Sequence, residues 1–115
     1  MKMPIIIVAV LSLFSSAAFG ACWSLACRGP AVDLLEFVYV HENGNIYLKI
    51  TDPDKGLLNC TLSENVYMTL EPTNLRQKEI YATLLTAIST KQNITLRVAE
   101  GTNNCSVKYL MMNTK

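Results

Sequence analysis

Four cysteines, Cys22, Cys27, Cys60 and Cys105, are the residues with the clearest chemistry in this sequence. An even set in a short chain is what two disulfides need, and four cysteines allow three pairings. The pairing favoured is Cys22 with Cys27, which are close in sequence, and Cys60 with Cys105, which ties the middle of the chain to its last segment. Zinc ligation is poorly served, because paired CxxC spacing is absent and His41 is the single histidine. His41-Glu42 is a pair suited to acid/base chemistry, but it falls at a hairpin end, where polar pairs are usually just solvated. No GxSxG, HExxH or phosphate-loop pattern occurs. The reading is a protein that is not an enzyme and uses no metal and no cofactor.

Binding chemistry rests on aromatic residues. Tyr39, Tyr47 and Tyr67 fall in extended segments, where flat rings lie against sugars and offer a hydroxyl, or simply cover a barrel. The same platforms stack nucleic-acid bases only within a basic groove. Ten basic residues against nine acidic leave a formal net charge of +1, so no nucleic-acid partner is expected. Trp23, inside the small cysteine loop, is either an exposed binding tip or a plug over one end of the domain. Asn59-Cys60-Thr61, Asn93-Ile94-Thr95 and Asn104-Cys105-Ser106 fit the loose N-glycosylation pattern, which short Asn- and Thr-rich stretches produce by chance.

The elements that must position these residues follow a leader. Of 115 residues, 50% are apolar and 17% charged, the range of one compact domain rather than a disordered polyelectrolyte. Met1-Lys2-Met3-Pro4 gives a short positive start, and Ile5 to Phe14 is apolar except for Ser12. About ten apolar residues make a signal-peptide core and about half of a membrane-spanning helix. Ala18 and Gly20 suit a cut after Gly20, so residues 1–20 are read as a signal peptide and residues 21–115 as a single domain. Losing Lys2 leaves that domain formally neutral, secreted or periplasmic, with no transmembrane helix. Phe19-Gly20-Ala21-Cys22 also resembles a bacterial lipobox, in which Cys22 carries lipid, and that route stays open.

Val32 to Val40 is dense in branched and aromatic residues, and Ile46, Leu48 and Ile50 alternate with polar positions. With Asn43-Gly44 between them, these segments predict a hairpin. Asp52-Pro53-Asp54-Lys55-Gly56 reads as a turn. A third strand region runs from Leu58 to Leu70, broken at Ser63-Glu64-Asn65 by a bulge or a loop. Asn74 and Gln77 have the spacing of a capping box, and Tyr81, Leu84, Leu85 and Ile88 recur at helical spacing, which predicts a helix over Asn74 to Thr90. Ile94 to Val98 and Cys105 to Met112 predict the last two strands. The fold class is mainly β with one helix (α+β), in the order βββαββ. A five-stranded OB-fold-like barrel suits that order, since closure hides the sheet edges and the helix plugs an open end.

With its leader, the strand pair Val32 to Ile50, Cys60, the helix Lys78 to Ala87, the strand Asn93 to Val98 and Cys105, the chain resembles the pentameric binding subunits of bacterial A-B toxins, particularly the subtilase cytotoxin B-subunit type. The resemblance covers about Val32 to Met112 as a pattern. It implies an OB-fold whose third and fifth strands are parallel neighbours, bringing the starts of those strands, Cys60 and Cys105, within bonding reach. It also implies a homopentamer that binds cell-surface glycans and serves a catalytic A subunit. A second hypothesis is a monomeric periplasmic or lipid-anchored protein, such as an inhibitor of a cell-wall enzyme or an envelope structural factor.

Overall fold

The computed structural model describes residues 21–114. The leader expected over residues 1–20 lies outside them. Two three-stranded antiparallel sheets enclose the core. Strand β1 (Ala26–Pro30) leads into a single helical turn, α1 (Ala31–Leu34), and then into β2 (Leu35–Val40). Strands β3 (Ile46–Ile50) and β4 (Tyr67–Leu70), helix α2 (Gln77–Thr90) and strands β5 (Asn93–Val98) and β6 (Val107–Asn113) complete the order. One sheet runs β1-β5-β6 and the other β2-β3-β4.

The expected first strand, Val32 to Val40, is thus corrected to β2 alone, with the turn α1 in its first part and a separate strand, β1, before it. Pro30 ends β1, and the buried Ala31 and Leu34 wind one turn that swings the chain from the first sheet to the second. The Ala31 N–H donates to the Gln92 carbonyl, and Thr51 N–H to that of Leu34, so each half of the bend is tied to its own sheet. Branched residues gave a strand signal across this segment, but burial of two apolar side chains on one turn decides otherwise.

On the other side, the two sheets meet at one seam. Thr69 and Ser106 form a parallel bridge, and Thr69 N–H donates to the Cys105 carbonyl at 3.2 Å. Glu71 fastens the seam, its carboxylate accepting from the Asn104 amide at 2.6 Å and the Ser106 hydroxyl at 2.8 Å. The Asn74 amide donates to the Val107 carbonyl, and the Cys60–Cys105 disulfide spans the seam with its Cα atoms 5.1 Å apart. The sheets touch here through one bridge rather than a continuous ladder, so the architecture is two linked sheets and not a fully closed barrel.

Other expectations need smaller corrections. Residues 58–66 do not extend the third strand: a 3₁₀ turn (Pro53–Leu57) precedes them, and Glu64 and Asn65 take positive φ in a tight turn. Asn74 and Gln77 form no capping box. Asn74 Oδ1 accepts from Arg76 N–H, while the Gln77 amide reaches the Gly44 and Leu70 carbonyls and docks the helix on the hairpin. The buried stripe of α2 is Ile80, Leu84 and Ala87, with Tyr81 and Ile88 half-buried beside it and Leu85 left exposed. The last strand starts at Val107, not Cys105, which sits at positive φ in the preceding turn.

The inward rows are those the alternation set. Leu48, Ile50, Met68 and Leu70 from one sheet face Ile94, Leu96, Val98 and Val107 from the other, and α2 covers them with Leu84. Each fully buried aliphatic side chain contributes about 1.5–3 kcal/mol. Cys22 is bonded to Cys27, and both sulfurs belong to this core. Among the described residues, no helix is long and apolar enough to cross a membrane.

Candidate functional site

The outward rows of β2, β3 and β4 follow from the same two-residue period that fills the core. The hairpin register places Tyr39 opposite Tyr47 and Phe37 opposite Lys49, and the next pairing places Lys49 opposite Tyr67. A register shift between Leu35 and Phe37 sets this phase. It turns Phe37 and Tyr39 outward and Val38 inward, where Val38 packs on the core.

Tyr39, Tyr47 and Tyr67 therefore gather on one face. Ring centroids are 5.7 Å apart for Tyr39–Tyr47 and 5.5 Å for Tyr47–Tyr67. Phe37 extends the row at 6.0 Å from Tyr67, and His41 closes its other end at 5.4 Å from Tyr39 and 6.0 Å from Tyr47. Tyr39 is 42% and Phe37 39% exposed, while Tyr47 and Tyr67 are half-buried between their neighbours. Offset and tilted pairs at these distances hold one another in place and leave part of each ring open.

The turn fixes the end of this face. Gly44 takes a φ of +96°, and a Cβ there would lie 3.2 Å from Pro72 Cγ. His41 Nδ1 accepts from Asn43 N–H at 3.0 Å, so the imidazole presents its other nitrogen away from the turn. Asn43 and Asn45 both donate side-chain amide hydrogens to the Tyr47 hydroxyl, at 3.2 and 3.0 Å. That hydroxyl is thus held by the turn. The Tyr39 and Tyr67 hydroxyls make no hydrogen bond to another described residue. His41 is part of the aromatic row rather than one half of a pair with Glu42.

Charge on the face is internally balanced. Lys49 Nζ lies 3.1 Å from Glu36 Oε1 and 5.5 Å from the Phe37 ring centroid. Flat rings, two free hydroxyls and a compensated ion pair suit a neutral or weakly polar flat partner, such as a sugar ring, better than a phosphate backbone.

Trp23 stands apart from this cluster. The Cys22–Cys27 loop projects it, 43% exposed, over the outer face of the β1-β5-β6 sheet, beside Arg97 and Tyr109. The sequence reading had not included Phe37, His41 or Lys49 in the face. Their signal was available, since two-residue spacing from Tyr39 and Tyr47 across an Asn-Gly hairpin puts Phe37 and Lys49 on the same side. No protein-family model, curated protein or solved structure matches the chain.

Proposed function

We propose that this protein is a non-enzymatic binding subunit, exported from the cell, that recognises a glycan through the outer aromatic face of β2, β3 and β4. The observation that carries the proposal is the gathering of Tyr39, Tyr47 and Tyr67 with Phe37 and His41, at centroid distances of 5.4 to 6.0 Å, on the side of the sheet opposite the core. Its outlook is polar at the hydroxyls and apolar at the ring faces, as a sugar requires. Two disulfides in so small a domain fit an oxidising compartment.

The toxin B-subunit reading draws support from the chain path. Counted as one bent strand, Ala26 to Val40 pairs with β5 on one side of the bend and β3 on the other. The parallel Thr69–Ser106 bridge and the position of α2 between β4 and β5 in sequence support reading this path as that of a five-stranded OB-fold. Ring assembly is part of the proposal. Strand β2 pairs with β3 alone, and beyond the Ser106 bridge β6 pairs with β5 alone; they carry the exposed Val40, Tyr109 and Met111. A contact between two different edges is head-to-tail, which closes into a ring when the rotation permits. The Cys22–Cys27 disulfide supports this reading over the lipid-anchored alternative, which needs the Cys22 sulfur for the lipid.

A glycan array probed with the wild-type chain and with Tyr39→Ala tests the function. Specific signal on a set of glycans, lost in the variant while the circular dichroism spectrum is unchanged, is the expected result. Silence of the wild-type chain at high concentration overturns the proposal.

A further inference from the structure

The outer face of the other sheet holds a separate groove of about 300 Å³. Trp23 and Tyr109 flank it, 43% and 41% exposed, and Met111 adds an apolar patch. Arg97 lies in it with its guanidinium carbon 5.9 Å from the Tyr109 ring centroid, and Nη1 donates to the Tyr109 hydroxyl at 3.5 Å. The Nε hydrogen of Arg97 is buried with no acceptor among the described residues, and so is the side-chain amide nitrogen of Asn113. Native chains rarely leave buried donors unpaired, and Arg97 and Asn113, each half-buried as a residue, line the groove with a donor that a small side-chain adjustment turns to an acceptor there. Arg28 adds a second guanidinium to the lining, in no ion pair with a described residue, and no acidic side chain among the described residues lines the groove.

We infer that this groove binds a carboxylate carried on a ring. With Nη1 turned to Tyr109, the free edge of Arg97 is the Nε edge, whose fork geometry matches the two coplanar oxygens of a carboxylate. Asn113 supplies a further donor, and Trp23 and Tyr109 lie where a flat body stacks. The inference is independent of the aromatic face on β2, β3 and β4, because the two sites lie on the outer faces of different sheets. The carboxylate comes either from an acidic sugar or from an aromatic acid, and both present the same oxyanion and ring.

Trp23 is the single tryptophan of the chain, so the indole N–H gives one resonance that reports on this groove. Methyl glucuronide and sodium benzoate are titrated into isotope-labelled mature protein, beside methyl glucoside and benzamide as neutral counterparts. The expected result is a saturable shift of the Trp23 indole and Asn113 amide signals by at least one carboxylate. Its Kd lies near about 1 mM, the range a ligand of this size reaches. The neutral counterpart binds about tenfold more weakly or worse, since it lacks the charge-assisted bonds. Whichever carboxylate binds names the source. Arg97→Gln and, at the end of the last strand, Asn113→Ala each weaken binding, and the second keeps the test open if the first fails to fold. Shifts by neither carboxylate, equal shifts by the neutral compounds, or a Kd unchanged in both variants overturns the inference.

Discussion

Removing the Cys60–Cys105 disulfide should cost far more stability than removing Cys22–Cys27, although both lie in the same core. The long pair closes a loop of 45 residues and the short one a loop of 5. In the chain-entropy treatment these closures restrict the unfolded chain by about 4 and about 2 kcal/mol. Total stability for a domain of this size is about 5–15 kcal/mol, so the long bridge holds about a quarter of it or more. In the folded state the seam keeps Glu71 on Asn104 and Ser106 and Thr69 on Cys105, so the variant should still fold to the same structure. Double alanine variants avoid stray thiols, and urea unfolding followed by circular dichroism gives both midpoint and slope. Cys60→Ala with Cys105→Ala should lose about 4 kcal/mol and lower the melting temperature by about 16–30 °C, whereas Cys22→Ala with Cys27→Ala should lose about half as much. A long-bridge variant no less stable than the short-bridge variant would refute the reasoning, as would a loss below about 1 kcal/mol.

Two further substitutions test local supports of the fold. Asp52 is buried to 8% exposure and accepts from Ala21 N–H at 2.6 Å and Asp54 N–H at 2.7 Å, so Asp52→Ala should destabilise by about 2 kcal/mol or more in the same urea assay. Gly44→Ala faces both a φ of +96° and Pro72 at 3.2 Å, and should lose about 1–2 kcal/mol while broadening the His41, Asn43 and Tyr47 signals in amide spectra.

Much of this architecture is written in local pattern. The alternation of Ile46, Leu48 and Ile50, and of Ile94, Leu96 and Val98, named the inward rows because period two leaves no other face for them. Asn43-Gly44 announced the hairpin, and with it the meeting of Tyr39 and Tyr47. The bend at Ala31 to Leu34 was not legible, since Val32 and Leu34 suit a strand as well as a helical turn. Only their tertiary surroundings, with Gln92 and Thr51 taking up the backbone bonds, select the turn. Asn74 and Gln77 show the converse case: the spacing of a local cap is present, but distant carbonyls at Gly44 and Leu70 compete for the same amide and win. The groove beside Trp23 was hidden for the same reason, because Arg97 comes to it from β5, which pairs with Ala26–Pro30, and Asn113 from β6 on the far side of β5, and Arg28-Gly29-Pro30 marks Ala26–Pro30 as a break rather than a strand.

That the Tyr39, Tyr47 and Tyr67 face is the recognition surface is tested most directly by side-chain spectra of protein labelled at its aromatic rings and leucine methyls during titration with a glycan bound on the array. The account predicts saturable shifts at Phe37, Tyr39, Tyr47 and Tyr67, with the core signals of Leu48 and Leu96 unmoved. Shifts confined to another surface while these four rings stay unchanged would contradict it.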